Sequence, residues 1–145
     1  MKKKILVTRK LLIENEEKLK ELFDIKLNSK DELYTSDKII ELSKDCDGIL
    51  SAITDQFNKD LIEKLSPSIK IIANFAVGFG NIDVNVAAKK NIVVTNTPEV
   101  LDDSTADISI LLLLGASRKV LEARRAAELQ NWKWSADFML GKQMS

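Results

Sequence analysis

At 145 residues, 45% hydrophobic and 30% charged, the chain has the makeup of an ordinary globular domain with room for a substantial core, which excludes disordered and collagen-like classes. Its 22 basic and 22 acidic residues cancel and are spread along the chain, so no electrostatic footprint for nucleic acid or an anionic membrane is present. A single cysteine excludes an internal disulfide, and with no signal peptide and no span of about 20 apolar residues a cytoplasmic location is expected.

Strand and helix signals alternate from the start. Lys4-Ile5-Leu6-Val7-Thr8 reads as a strand, and Leu12, Leu19, Leu22 and Phe23 mark one face of a Glu/Lys-rich helix over residues 11–23. Residues 24–27 return as a short strand. Ser36 is placed to cap a helix carrying Ile39, Ile40 and Leu42 as far as Lys44, and Asp47-Gly48-Ile49-Leu50-Ser51-Ala52 makes a third strand. Between them, Cys46 lies beside Asp45 and Asp47, whose charges raise a thiol pKa, so it reads as structural or inert rather than nucleophilic. Asn58 is placed to cap a helix over residues 61–65, and Ser66-Pro67-Ser68 breaks it.

Residues 69–77 are too short a run for a globular helix and too apolar on both faces for an exposed strand, so they predict a buried parallel strand. Gly78-Phe79-Gly80-Asn81, a short helical segment and a strand over residues 92–95 follow, and Asn96-Thr97-Pro98 leads to a helix starting near Ser104. Repeated units of this length predict an α/β fold: a right-handed, doubly wound, flavodoxin-like parallel sheet of about five strands. Ser104-Thr105-Ala106-Asp107 has the spacing of a capping box, and the helix it opens, apolar on every face through Leu111–Leu114 and charged after Arg118, is expected to run to about Asn131. Gly115 within it suggests close approach of another backbone, and Trp132 and Trp134 are expected to cover a core or interface. Asp102 and Asp103 suit a helix start and need no catalytic role.

In an open parallel sheet ligands bind beyond the carboxyl ends of the strands, where Gly78 and Gly80 lie. Without Cβ atoms they let a ligand reach the backbone, and successive free N–H groups form an anion-binding concavity; a tight turn at positive φ would demand the same two residues. A dinucleotide fingerprint is a poorer fit, because its sixth position is Asp83, whose carboxylate repels a pyrophosphate. A small monoanion suits the turn better. Asn74 either orders that turn through its side chain or serves only its own backbone. No cluster suggests a metal site.

The wording Ala73-Asn74-Phe75-Ala76-Val77-Gly78-Phe79-Gly80-Asn81-Ile82-Asp83, then Val94-Thr95-Asn96-Thr97-Pro98-Glu99-Val100-Leu101, then Thr105-Ala106-Asp107, closely resembles the D-isomer-specific 2-hydroxyacid dehydrogenases, most of all their glyoxylate and hydroxypyruvate reductase branch. The likeness runs from Lys4 to Lys142 and departs at Gly80, where the family more often carries Asp. It implies a substrate-binding domain over residues 1–99, and over residues 100–145 an interdomain, dimerising helix with the start of a truncated Rossmann cofactor domain. It implies a small 2-keto or 2-hydroxy acid as substrate, with the amides of Val77 and Gly78 on its carboxylate and Ser51 and Ala52 as the facing wall. Thr105 matches a residue near the nicotinamide of NAD or NADP, a cofactor this chain alone is not expected to bind. The family's catalytic His, Glu and Arg have no counterpart here, so no catalytic residue is assigned, and a chain with no histidine is expected to be inactive alone. The expected assembly is a homodimer through the helix over 104–131. A non-enzymatic flavodoxin-like module binding a small acid or a protein partner is the alternative.

Overall fold

Each strand of this chain is a short apolar run followed by a helical segment, and such units satisfy their backbone groups by pairing in parallel with a crossover between partners. A computed structural model, which describes residues 1–130 and 132–143, contains β1 (Lys4–Val7), α1 (Ile13–Leu22), β2 (Asp24–Leu27), α2 (Ser36–Ser43), β3 (Gly48–Ala52), α3 (Lys59–Lys64), β4 (Ile71–Phe75), α4 (Val84–Lys89), β5 (Val93–Thr95), α5 (Asp102–Ser117) and α6 (Val120–Leu129). The five strands form one parallel sheet in the order β2-β1-β3-β4-β5, the flavodoxin-like arrangement expected from the alternation. Register puts Ile49 beside Ile72 and Ile72 beside Val94. The chain divides into two compact units, Met1–Glu99 and Val100–Ser145.

In the first unit the core lies on one side of the sheet. Leu6, Ile49 and Ile72 meet Ile39 of α2, Leu61 and Ile62 of α3 and Ala87 of α4 in a continuous buried cluster that includes Cys46. Burial pushes the Cys46 thiol pKa up, with Asp45 and Asp47 as lesser causes, so the thiol is inert as expected. The other face is different. Against it stands α1, no residue of which is buried, and at the far strands Phe75 and Val93 are 60% and 57% exposed. The prediction that β4 is buried on both sides is therefore corrected: Ile72 and Asn74 are buried, whereas Ile71 and Ala73 are half-buried. An apolar run records hydrophobicity on both faces without recording whether a second layer is present.

Among the described residues, side-chain caps open three of the six helices, α2, α3 and α4. Asn58 accepts from the Leu61 N–H at 3.0 Å as expected, but α2 is capped by Thr35, not Ser36, through a 3.3 Å bond from the Lys38 N–H. In the second unit the capping box does not form. Helix α5 starts at Asp102 beside two acids that suit its N-terminal dipole, and Ser104 Oγ donates back to the Leu101 carbonyl at 3.3 Å. Nor is the helix continuous: Lys119, at φ 52°, separates α5 from α6, and the expected end at Asn131 lies outside the described residues. The close backbone approach expected at Gly115 occurs instead at Gly141, where an added Cβ would stand 2.5 Å from the Ser117 carbonyl oxygen and Lys142 N–H bonds that carbonyl at 2.8 Å. Trp132 stacks on Phe138 at a centroid distance of 5.7 Å, but it and Trp134 are 54% and 83% exposed, so neither covers a core.

At the carboxyl end of β1, Arg9 holds Asp31 with two parallel bonds, Nε to Oδ1 at 2.8 Å and Nη2 to Oδ2 at 3.1 Å, and the Lys10 N–H adds a third at 2.9 Å. The Arg9 hydrogen bond first, then that of Lys10, lower the Asp31 pKa from 3.8 to about 2. Because the folded value lies below the unfolded one, the pair stabilises the fold above about pH 4 and is lost as pH falls towards about 2, modestly so for an exposed pair. Carboxyl-carbon NMR should give Asp31 a midpoint of about 2, and Arg9→Met should return it towards 3.8. The unequal faces of the sheet give a second expectation: Ile72→Ala should cost about 2–5 kcal/mol in urea unfolding, and Val93→Ala less than about 1 kcal/mol. Equal losses would contradict a one-sided core.

Candidate functional site

The carboxyl ends of β1, β3 and β4 are joined by buried polar side chains. Beyond β3, the chain must turn into α3 with its backbone groups satisfied. Asp55 does this from a buried position: Oδ2 accepts from Thr8 Oγ1 at 2.5 Å and from the Ala52 N–H at 2.9 Å. Its Oδ1 has no hydrogen-bond partner among the described residues. Asn81 crosses from the loop after β4, its Nδ2 donating to the carbonyls of Ala52 at 3.2 Å and Asp55 at 2.9 Å. Phe57 and Ile82 pair as an isolated parallel bridge beside it, through Phe57 N–H to the Asn81 carbonyl and Asp83 N–H to the Phe57 carbonyl.

Asn74, buried within β4, connects this network to the glycine turn. Its Oδ1 accepts from Ser51 Oγ at 3.1 Å, and its Nδ2 donates to Asn81 Oδ1 and to the Gly78 carbonyl, both at 3.0 Å. Of the two roles open to Asn74, the structure selects ordering of the turn. The adjacent carbonyls are held as well: Val77 by Asn96 Nδ2 at 2.6 Å and Ala76 by the Thr97 N–H at 2.9 Å. Three successive carbonyls, Ala76 to Gly78, are thus engaged by the protein. The N–H groups of Val77, Gly78, Phe79 and Gly80 donate to no acceptor among the described residues. These amides lie on an exposed turn.

The two glycines are not there for backbone strain. No glycine has a positive φ, and a Cβ built on Gly78 or Gly80 meets nothing within 4 Å. The tight-turn requirement weighed from the sequence is therefore absent, and the space in front of each glycine is open. A side chain there would occupy only that space. A hollow of about 330 Å³ beside the turn, lined by Phe79, Val84, Ala88, Ile92, Val94 and Asn96, is apolar and unsuited to a carboxylate.

Ala52, the last residue of β3, and Gly78, on the loop after β4 with Val77, are tied together through Asn81 and Asn74, while Ser51 precedes Ala52 in β3, its hydroxyl spent on Asn74. Thr105 belongs to the second unit, where its N–H closes the first turn of α5 on the Leu101 carbonyl at 2.9 Å. Arg9, the sole arginine of the first unit, is committed to Asp31 and to Thr54 Oγ1 and offers no free fork. A dinucleotide does not fit the turn. Asp83 accepts from the Val86 N–H at 3.1 Å, so the N-terminus of α4 already holds a carboxylate where a pyrophosphate would sit. Asn81, Asn96, Asp55 and Thr8 escaped the sequence reading; their signal was the placing of short amides and a carboxylate just beyond apolar strands.

The family described as D-isomer specific 2-hydroxyacid dehydrogenase, catalytic domain, matches residues 5–137. A glyoxylate reductase of Korarchaeum cryptofilum is 43% identical over 144 residues, 97% of this chain and 43% of that protein, and one of Thermococcus litoralis is 36% identical over 135 residues, 93% and 40%. The chain spans less than half the length of these curated relatives. Among solved structures, an NADPH-dependent glyoxylate/hydroxypyruvate reductase of Sinorhizobium meliloti, in complex with NADP and malonate, superposes with a TM-score of 0.75 at 32% identity, over 91% of this chain and 40% of that one. With a family match over nearly its whole length and a parallel sheet of the corresponding fold, the chain belongs to the D-isomer specific 2-hydroxyacid dehydrogenases, through their catalytic domain.

Proposed function

We propose that Met1–Glu99 is the substrate-binding part of a cytoplasmic NAD(P)-dependent 2-hydroxyacid dehydrogenase acting on glyoxylate or hydroxypyruvate. One observation carries this: the free N–H groups of Val77 and Gly78, beyond the carboxyl end of β4, beside three anchored carbonyls. Partial positive charges fixed in this way attract a carboxylate without reorganisation. Ala52, backed by Ser51, forms the facing wall, and Thr105 lies near the nicotinamide in the assembled enzyme. Residues 100–145 are the interdomain segment and the start of a cofactor domain. The resemblance of the glyoxylate reductases and the malonate in the Sinorhizobium meliloti enzyme both support a small carboxylate as ligand.

Proton delivery near neutral pH falls most often to histidine, and these residues contain none. The 145-residue chain should therefore show no NADH- or NADPH-dependent reduction of glyoxylate or hydroxypyruvate, and turnover by a species of verified mass would overturn this assignment. Malonate or acetate should shift the amide resonances of Val77 to Gly80 before any others, with affinity of about millimolar or weaker, since two or three hydrogen bonds must offset lost translational freedom. Shifts confined to α5 and α6 would instead favour a partner-binding module.

The second unit bears on assembly. Ile108, Ile110 and Leu111 to Leu114 of α5 are 46–66% exposed, and covering each contributes about 1.5–3 kcal/mol. We assign these side chains to a homodimer interface formed by α5 and α6. Light scattering at micromolar concentration should report a dimer or larger, and Leu112→Glu with Leu113→Glu should return a monomer; a wild-type monomer would refute the interface.

A further inference from the structure

We propose that Asn74 and Asn96 are positioning residues that aim the anion-binding amides by holding the carbonyls on the opposite side of the same peptide planes. This deepens the carboxylate reading above and rests on it. In a trans peptide the carbonyl of one residue and the N–H of the next point in opposite directions. Asn96 Nδ2 holds the Val77 carbonyl at 2.6 Å, which turns the Gly78 N–H away from Asn96. Asn74 Nδ2 holds the Gly78 carbonyl at 3.0 Å, which turns the Phe79 N–H away from Asn74. The Phe79 amide thereby joins those of Val77 and Gly78 as a third donor.

Asn74 is not itself a ligand residue. Both amide hydrogens of Asn74 are used, on Gly78 and Asn81, and its oxygen accepts from Ser51. Its arrangement fixes the chemistry required at that position: the side chain must donate towards Gly78 and accept from Ser51 at the same time. Protonated aspartate keeps one O–H where asparagine has two N–H donors, for Gly78 and Asn81, and an ionised carboxylate keeps neither, leaving an oxygen facing the Gly78 carbonyl with no proton between them. Asn96 comes from the end of β5 and is half-buried, so its removal leaves the core untouched.

The test titrates malonate into the full chain while following the amide resonances of Val77, Gly78 and Phe79. Relative to wild type, Asn96→Ala should weaken malonate about five- to tenfold, the equivalent of one hydrogen bond of about 1 kcal/mol, with an unchanged circular dichroism spectrum. Asn74→Asp should bind poorly near neutral pH and recover towards wild type as the pH is lowered, read as the ratio of the two affinities at each pH so that ionisation of malonate cancels. Because the charge of an ionised aspartate repels malonate in its own right, the neutral Asn96→Ala is the variant that isolates positioning. If wild type shows no malonate shifts at these amides, the carboxylate reading and this proposal fall together. If wild type binds there and Asn96→Ala binds equally well, the positioning role alone is overturned, and Asn96→Ala decides the matter even if Asn74→Asp fails to fold.

Discussion

A parallel sheet ends with its polar backbone atoms at the mouth of the core, and whatever is buried there has to be paired. In this chain Asn74, Asn81, Asp55, Thr8 and Ser51 meet that constraint together, with Asp55 Oδ1 the one exception among the described residues. Paired buried amides behave as a unit, since losing one leaves its partners unsatisfied in a low-dielectric setting. The loops after β3 and β4 are therefore coupled to each other and to the ends of the strands they leave. The glycine turn looks loose from its composition but is held at three consecutive carbonyls.

The sheet itself was legible in the sequence because its signals are local. Apolar runs of strand length, an asparagine cap before α3 and a proline after it set the element order before any long-range contact is considered. What the sequence does not encode locally was missed. Whether a strand is covered on one face or two depends on which layer arrives from elsewhere, and Phe75 and Val93 look as buried in sequence as Ile72. The break at Lys119 has no proline or glycine to announce it, and the structure provides no cause for it beyond the engagement of the freed Ser117 carbonyl by Lys142. Ser104 and Asp107 have capping-box spacing, but a hydroxyl bonded to the carbonyl three residues back fits the spacing equally well.

The site was legible as a place but not as a mechanism of placement. Gly78 and Gly80 point to close backbone approach in sequence and leave open why; their ordinary φ values and open surroundings exclude strain as the reason. Asn96 was read only as part of a turn. Its side-chain bond to Val77 joins residues 19 apart in the chain, a distance over which periodicity and propensity carry no information.

A recognition surface built from main-chain N–H groups is indifferent to the side chains that share its residues. Every amino acid but proline supplies the same donor at Val77 and Phe79, so on the proposed reading those positions are free to vary in bulk and polarity without erasing the anion seat. On the proposed reading, substrate preference drifts by changes in what surrounds the carboxylate while the hold on the carboxylate stays fixed. A scaffold of this kind separates the part of a ligand common to a whole chemical class from the part that distinguishes its members, and assigns each to a different level of the polypeptide.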